Sequence, residues 1–176
     1  LQNARLSLPD SDPIVLSVDI TDGKIKGNAH TRVLVSDDLS WLPITIPDRL
    51  QGEVRNLDID FQGDLSSVAF VGSFDIIRIE KDDLIFRNSS CAFDLLLRES
   101  GVKTAGLYGE AVFREGTLLG KRTALIVLNE GKVIFEGDPA NPKFDIRASS
   151  QVEKVKMDIK VSGYFHQPDM YLRSPA

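Results

Sequence analysis

Strict alternation of apolar and charged side chains is the feature that most constrains this chain. In the segment VKMDIKV, from Val155 to Val161, every odd-numbered residue is apolar and every even-numbered residue is charged. Successive side chains of a β-strand point to opposite faces, so such a segment has one apolar face and one hydrated face. The same alternation recurs along most of the sequence. It predicts a protein made of ribbons that share one long apolar surface.

Short turn signals separate the predicted strands. Asp22-Gly23 is a hairpin signal, and the alternation from Lys24 to Val35 after it places Val33 and Val35 on the apolar face. Glu130-Gly131 is interpreted as another turn, between strands at 123–128 and 132–136. Further strands are expected at 14–20, 54–61, 68–79, 84–86, 92–97, 107–113, 144–148, 152–161 and 170–172.

The spacing of these strands predicts the fold class. No window keeps a helical period over three turns, which is typical of an all-β protein. We expect a long curled sheet, antiparallel or mixed, that forms a solenoid-like trough with a hydrophobic concave interior. Residues 1–176 are expected to form a single β-rich domain, a fragment of a longer protein.

The stretch from Ser36 to Leu50 departs from the alternation. Ser36 is a residue type that begins helices, and Pro43 and Pro47 stop any regular helix. We predict one short helical turn and an irregular loop, with Trp41 packed as a plug at one end of the sheet.

Composition excludes several classes of protein. The net charge is −5 and no Lys and Arg residues cluster, which argues against a nucleic-acid-binding protein. No apolar run approaches the roughly 20 residues of a membrane-spanning helix. Apolar residues make up 42% of the chain and charged residues 27%, which is typical of a folded domain.

Candidate catalytic and metal-binding motifs are weak. The segment GTLLGKRT at 116–123 is one residue short of a phosphate loop and has Arg122 where Ser or Thr would bind magnesium, so a turn is expected there. Asp58 and Asp60 share a strand face, but they alternate with apolar residues, which favours the solvated side of a strand over a metal or acid–base pair.

The histidines and the cysteine also form no catalytic or metal-binding pattern. His30 and His166 lack the spacing of zinc ligands. Cys91 is the one cysteine and is expected to be structural. The sequence therefore predicts a non-enzymatic protein with no catalytic residues, no metal ligands and no cofactor.

The last third of the chain resembles a known family. The segment GKVIFEGDPANPKFDIRA at 131–148 has a strand, a G-x-x-x-NP turn and a second strand that ends in DIRA. An alternating strand, Gly163, Pro168 and the terminal Ser174-Pro175-Ala176 follow. This pattern is similar to that of the TamB family, the inner-membrane subunit of the translocation and assembly module, and the resemblance covers residues 115–176.

The resemblance implies a location and a function. It implies the periplasmic part of a bacterial protein anchored in the inner membrane, similar to the AsmA-like bridge proteins, whose curled sheets carry a hydrophobic groove. The implied roles are phospholipid transport between the inner and outer membranes and assembly of outer-membrane proteins, including autotransporters. The implied partners are TamA, an outer-membrane barrel protein, and phospholipid acyl chains or nascent outer-membrane β-strands.

Within such a groove, the apolar members of the alternating strands would line the interior. The candidate lining residues are Leu57, Ile59, Phe61, Val133, Phe135, Phe144, Ile146, Ala148, Val155, Met157, Ile159 and Val161. Two alternatives stay open. The fragment could bind unfolded β-strand clients by pairing at a sheet edge, as a chaperone does. It could also be a structural β-sandwich whose apolar face is sealed as core.

Overall fold

The computed structural model describes residues 2–39, 49–100 and 104–174, which form one twelve-stranded sheet. The order across the sheet follows the sequence from β1 to β7 and from β9 to β12, and the short β8 lies beside β6 and β9. All the pairings are antiparallel. The strands are β1 Gln2–Leu6, β2 Ile14–Thr21, β3 Lys24–Val35, β4 Leu50–Asp64, β5 Ser67–Lys81, β6 Leu84–Ser100, β7 Thr104–Arg114, β8 Thr117–Gly120, β9 Thr123–Gly137, β10 Lys143–Val152, β11 Val155–Tyr164 and β12 Gln167–Arg173.

The registers place apolar side chains on one face of the whole sheet. Directly opposed residues of antiparallel strands share a face, so a row of partners can be followed from edge to edge. One such row is apolar or small throughout: Ala4, Leu16, Ala29, Ile59, Gly72, Phe93, Ala111, Val133, Phe144, Gly163 and Pro168. The next row is mostly polar: Asn3, Ser17, Asn28, Asp60, Val71, Asp94, Glu110, Ile134, Lys143, Tyr164 and Gln167.

A line of irregularities crosses the middle of the sheet, and we call it the crease. It runs through Asn56 of β4 and Asn88 of β6, which have φ of 53° and 58°. It continues through the break between β7 and β8 at Glu115–Gly116 and ends at a register shift between Arg147 and Ala148 of β10. Register shifts lie along this line between β4 and β5 and between β9 and β10, and bulges of that kind bend strands and increase their twist.

Burial is concentrated beside the crease. Among the described residues, the buried apolar ones are Leu34, Ile76, Cys91, Ala111 and Ala148. The accessible surface is 12127 Å², whereas a compact monomer of 19.5 kDa exposes about 8,500 Å². A sealed sandwich would bury many more of the large side chains than this. The sheet is therefore largely open.

Hydrogen bonds to the side chains of Asp38 and Ser11 fix the loop before β2. The carboxylate of Asp38, in the 3₁₀ turn Ser36–Leu39, accepts hydrogen bonds from the Asp10 backbone N–H at 3.0 Å and the Ser11 hydroxyl at 2.5 Å. Ser11 Oγ in turn accepts from the Val35 N–H at 2.8 Å.

The 3₁₀ turn confirms the predicted helical turn, whereas Trp41, Pro43 and Pro47 lie outside the described residues.

The crease is also where the sequence prediction was wrong. The segments 84–86 and 92–97 are one strand, β6, and Glu130-Gly131 is not a turn but the interior of β9. In β3 the alternation shifts after Thr31, so that Leu34, rather than Val33 and Val35, shares a face with Val54 and Ile76. The segment expected to be a turn at 116–123 contains the short strand β8.

Candidate functional site

The apolar face carries a cavity of about 530 Å³ in its C-terminal half. Residues of seven strands, from β6 to β12, contribute to it, and residues far apart in the strand order, such as Phe86 and Leu172, line the same space. The lining is Phe86, Phe113, Leu118, Ile126, Leu128, Gly131, Val133, Ile146, Ala148, Ile159, Val161, Met170 and Leu172. None of these side chains carries a polar group able to form a strong hydrogen bond.

The few hydroxyls on the apolar face are already paired. Ser89 Oγ donates to the Arg114 carbonyl at 3.1 Å, and Ser150 Oγ donates to the Leu125 carbonyl at 2.9 Å. Thr31 Oγ1 donates to the Asp12 carbonyl at 3.1 Å. No buried side-chain nitrogen or oxygen of the described residues lacks a partner. Within the described part of the chain, the buried hydroxyls are therefore already bonded, and the cavity lining offers hydrocarbon contacts.

The predicted lining residues all lie on this face, but only some of them reach the cavity. Five of the twelve line it: Val133, Ile146, Ala148, Ile159 and Val161. The others, which lie on the same face outside the cavity, are Leu57, Ile59, Phe61, Phe135, Phe144, Val155 and Met157. At the edge of this group, the ring of Phe144 packs edge-on against Phe165, with centroids 5.9 Å apart.

Several cavity residues were missed by the sequence analysis. These are Phe86, Phe113, Leu118, Ile126, Leu128, Gly131, Met170 and Leu172. Phe113 and Met170 lie in predicted strands, where alternation could have placed them on the apolar face. Leu118 and Gly131 lie in segments interpreted as turns, and turn signals hid their positions on the sheet.

The opposite face is hydrated and carries several hydrogen-bonded or ionic pairs of side chains. Asp58 and Asp60 both project from this face, and the Asn28 side-chain amide donates to each of them, at 2.7 and 2.9 Å. The ion pairs are exposed, for example Arg32 to Asp12 at 2.7 Å, and such pairs add little stability. Within the described ranges, no group of His, Cys, Asp and Glu residues could hold a metal ion.

Cys91 lies on the apolar face beside the crease. It is 3% exposed and opposes Phe74 on β5 and Phe113 on β7. Burial raises the pKa of its thiol to about 11, because the thiolate would lose its hydration. At neutral pH the residue therefore acts as a small apolar side chain.

The comparisons with known proteins add no identification. No family model matches the chain, and no curated protein sequence matches it significantly.

Within residues 2–39, 49–100 and 104–174, no helix is long and apolar enough to cross a membrane.

Proposed function

We propose that this chain is part of a non-enzymatic periplasmic conduit, in which a hydrophobic β-groove carries phospholipid acyl chains between the inner and outer membranes of a bacterium. In this proposal the full protein is anchored in the inner membrane and works with TamA, as the resemblance to the TamB family implies. The same module would assist the assembly of outer-membrane proteins.

The apolar cavity on an open sheet face is the observation that carries this proposal. Hydrocarbon in water costs about 0.8 kcal/mol for each exposed CH₂ group, so the tails of a phospholipid need cover in an aqueous compartment. The lining at β6–β12 consists of aliphatic and phenylalanine side chains. Charged side chains on the other face keep the sheet hydrated while the tails are covered.

The extent of the sheet suits a segment of a longer path. Eleven strands follow one another in the hydrogen-bonded order, and neighbouring strands lie about 4.8 Å apart. The apolar rows therefore extend for about 48 Å along the sheet. Several such segments in series would be needed to cross the space between two membranes.

A charge placed in the cavity tests the proposal. We expect Ile159→Asp to fold, because Ile159 is only partly buried, and to lose binding of a fluorescent phosphatidylethanolamine labelled on one acyl chain. Lys160→Asp is the matched control, since it places the same residue one position along β11 on the hydrated face. Circular dichroism melting reports folding, and fluorescence titration reports binding.

Two outcomes would refute the groove. Equal binding by Ile159→Asp and the wild type would mean that lipid lies elsewhere. Unfolding of both Ile159→Asp and Ile146→Arg would indicate a sealed core. In cells, a photocrosslinker at Ile159 should capture lipid, whereas one at Lys160 should not.

A second candidate, the binding of nascent outer-membrane β-strands, is favoured by one observation. All seven residues of β12 are exposed, and in the described sheet this strand has a hydrogen-bonded neighbour on one side only. A free edge can accept an additional strand. A peptide with the sequence of an outer-membrane strand should then slow hydrogen exchange at the amides of β12. Unchanged exchange at saturating peptide would remove this candidate.

A further inference from the structure

Gly131 differs from every other described glycine in its steric surroundings. The structure describes twelve glycines, and eleven of them either have positive φ or would bring a Cβ within 3.4 Å of a neighbouring atom. At Gly131 the Cβ would lie 3.5 Å from Leu128 Cδ1, 3.6 Å from Ile146 Cγ1 and 3.8 Å from Phe113 Cβ. These are ordinary van der Waals distances. Neither the backbone nor the packing requires a glycine at this position.

A glycine without a structural reason is unfavourable in the middle of a strand. Glycine loses more conformational freedom on folding than alanine and offers no side chain to pack. Gly131 lies within β9, opposite Phe113 on one side and Ile146 on the other. Both partners line the cavity, as does Gly131 itself. The absence of a side chain therefore leaves space in the cavity at a cost in stability.

We propose that Gly131 is a specificity-determining residue, whose missing side chain keeps the floor of the cavity open and sets the bulk of the single hydrocarbon chain that the cavity accepts. This inference rests on the proposed function. It adds the position at which a hydrocarbon chain binds and the residue that limits the size of that hydrocarbon chain.

Hydrocarbon fits this cavity better than a peptide does. A peptide carries N–H and C=O groups, which are costly to bury without partners. The interior strands of the floor direct their own N–H and C=O groups into the sheet, and the Ser89 and Ser150 hydroxyls are bonded to backbone carbonyls. The lining carries no charge that could attract an ionic group. An unbranched alkyl chain meets these conditions, with its polar headgroup left outside the cavity.

Side chains of increasing size at position 131 test the inference. Gly131→Ala should fold, because a Cβ is accommodated at this position. In Gly131→Val and Gly131→Leu the additional carbons enter the cavity that Gly131 lines, and circular dichroism checks that both variants fold. The probes are alkyl maltosides with eight-, ten- and twelve-carbon chains, each below its micelle concentration, measured by displacement of N-phenyl-1-naphthylamine. Lys132→Leu is the matched control, since it adds the same side chain to the hydrated face of β9.

We expect affinity for the twelve-carbon probe to fall about tenfold or more in Gly131→Leu, as methylene-sized changes in apolar pockets do, and to fall less in Gly131→Ala. Lys132→Leu should stay within about twofold of the wild type. Alkyl phosphocholines of the same chain lengths should show the same dependence, since the headgroup lies outside.

The outcomes separate this inference from the proposed function. If the wild type binds no alkyl probe, the groove itself is refuted. If the wild type binds but Gly131→Leu binds equally well, the role of Gly131 is refuted and the groove remains. Equal losses in Gly131→Leu and Lys132→Leu would also refute it, because the effect would then not come from filling the cavity.

Discussion

Gly72 and Gly131 lie on the same face of the sheet but have opposite surroundings. A Cβ at Gly72 would collide with the Asp58 carbonyl oxygen and lie 2.7 Å from Phe93 Cζ, whereas a Cβ at Gly131 meets atoms no closer than 3.5 Å. The first glycine allows close approach of the backbone and an aromatic ring. The second leaves an empty space that the fold does not need.

The two alanine variants should therefore change stability in opposite directions. We expect Gly131→Ala to raise the free energy of unfolding by about 0.5–1 kcal/mol, because alanine loses less conformational entropy. Gly72→Ala should lower it by about 1–3 kcal/mol through overpacking. Urea denaturation of both variants measures the difference. A stable Gly72→Ala protein would contradict the tight approach of β4 and β5.

Cys91 should make stability depend on pH in the alkaline range. Burial raises the pKa of its thiol from 9.0 to about 11, so the folded state holds the proton more tightly than the unfolded state does. This contribution is fully present below about pH 9 and is lost as the pH rises towards 11. Urea midpoints at intervals from pH 8 to 11 should fall more steeply for the wild type than for Cys91→Ala.

Among the strands, the crease depends on a few residues that adopt an unusual backbone conformation. Asn88 has φ of 58° in the interior of β6, and its side chain is exposed. Asparagine and glycine tolerate this left-handed region, whereas other residues pay about 1–2 kcal/mol there.

Substitutions at Asn88 test whether this residue adopts the left-handed backbone conformation. Asn88→Gly should leave the free energy of unfolding within about 0.5 kcal/mol of the wild type. Asn88→Val should lower it by about 1–2 kcal/mol, since a β-branched residue is the least suited to positive φ. Thermal or urea melting of the pair provides the measurement. Equal stability of the two variants would show that β6 does not adopt the left-handed backbone conformation at this residue.

Alternation in the sequence was enough to predict the strands and their apolar faces, but not the crease. VKMDIKV in β11 and LDIDF, residues 57–61 of β4, have a strong period of two, so their faces could be assigned. Glu130-Gly131 combines a charge with a glycine, which is also how turns look. Whether such a pair ends a strand or lies within one depends on how β9 pairs with β7 and β10. These pairings join residues that are far apart in the sequence, so the neighbouring residues do not indicate them.

The same limit applied to the cavity. Alternation placed Ile146 and Ile159 on the correct face, because each lies in a regular strand. Which members of that face line one cavity depends on how several strands are arranged together, and the irregular positions are spread over several strands. Phe86 and Leu118 join the cavity for that reason, and nothing local in their segments indicates it.

At the scale of the whole molecule, one open sheet exposes more surface than a compact domain of its size. The 12127 Å² of accessible area exceeds the expectation for a compact monomer by about two-fifths. We therefore expect a radius of gyration above the roughly 16 Å of a compact chain of this length. Small-angle X-ray scattering of the monomer measures it directly. A value at or below 16 Å would mean that the sheet closes on itself in solution.

Close backbone contacts run almost entirely between strands that are adjacent in the hydrogen-bonded order. Within the described sheet, the register of each strand is set by its immediate neighbours. Copying or deleting a hairpin near either edge would thus leave the other registers as they are. An architecture of this kind can change its length by gene duplication, in increments of two strands, without inventing a new core at each step.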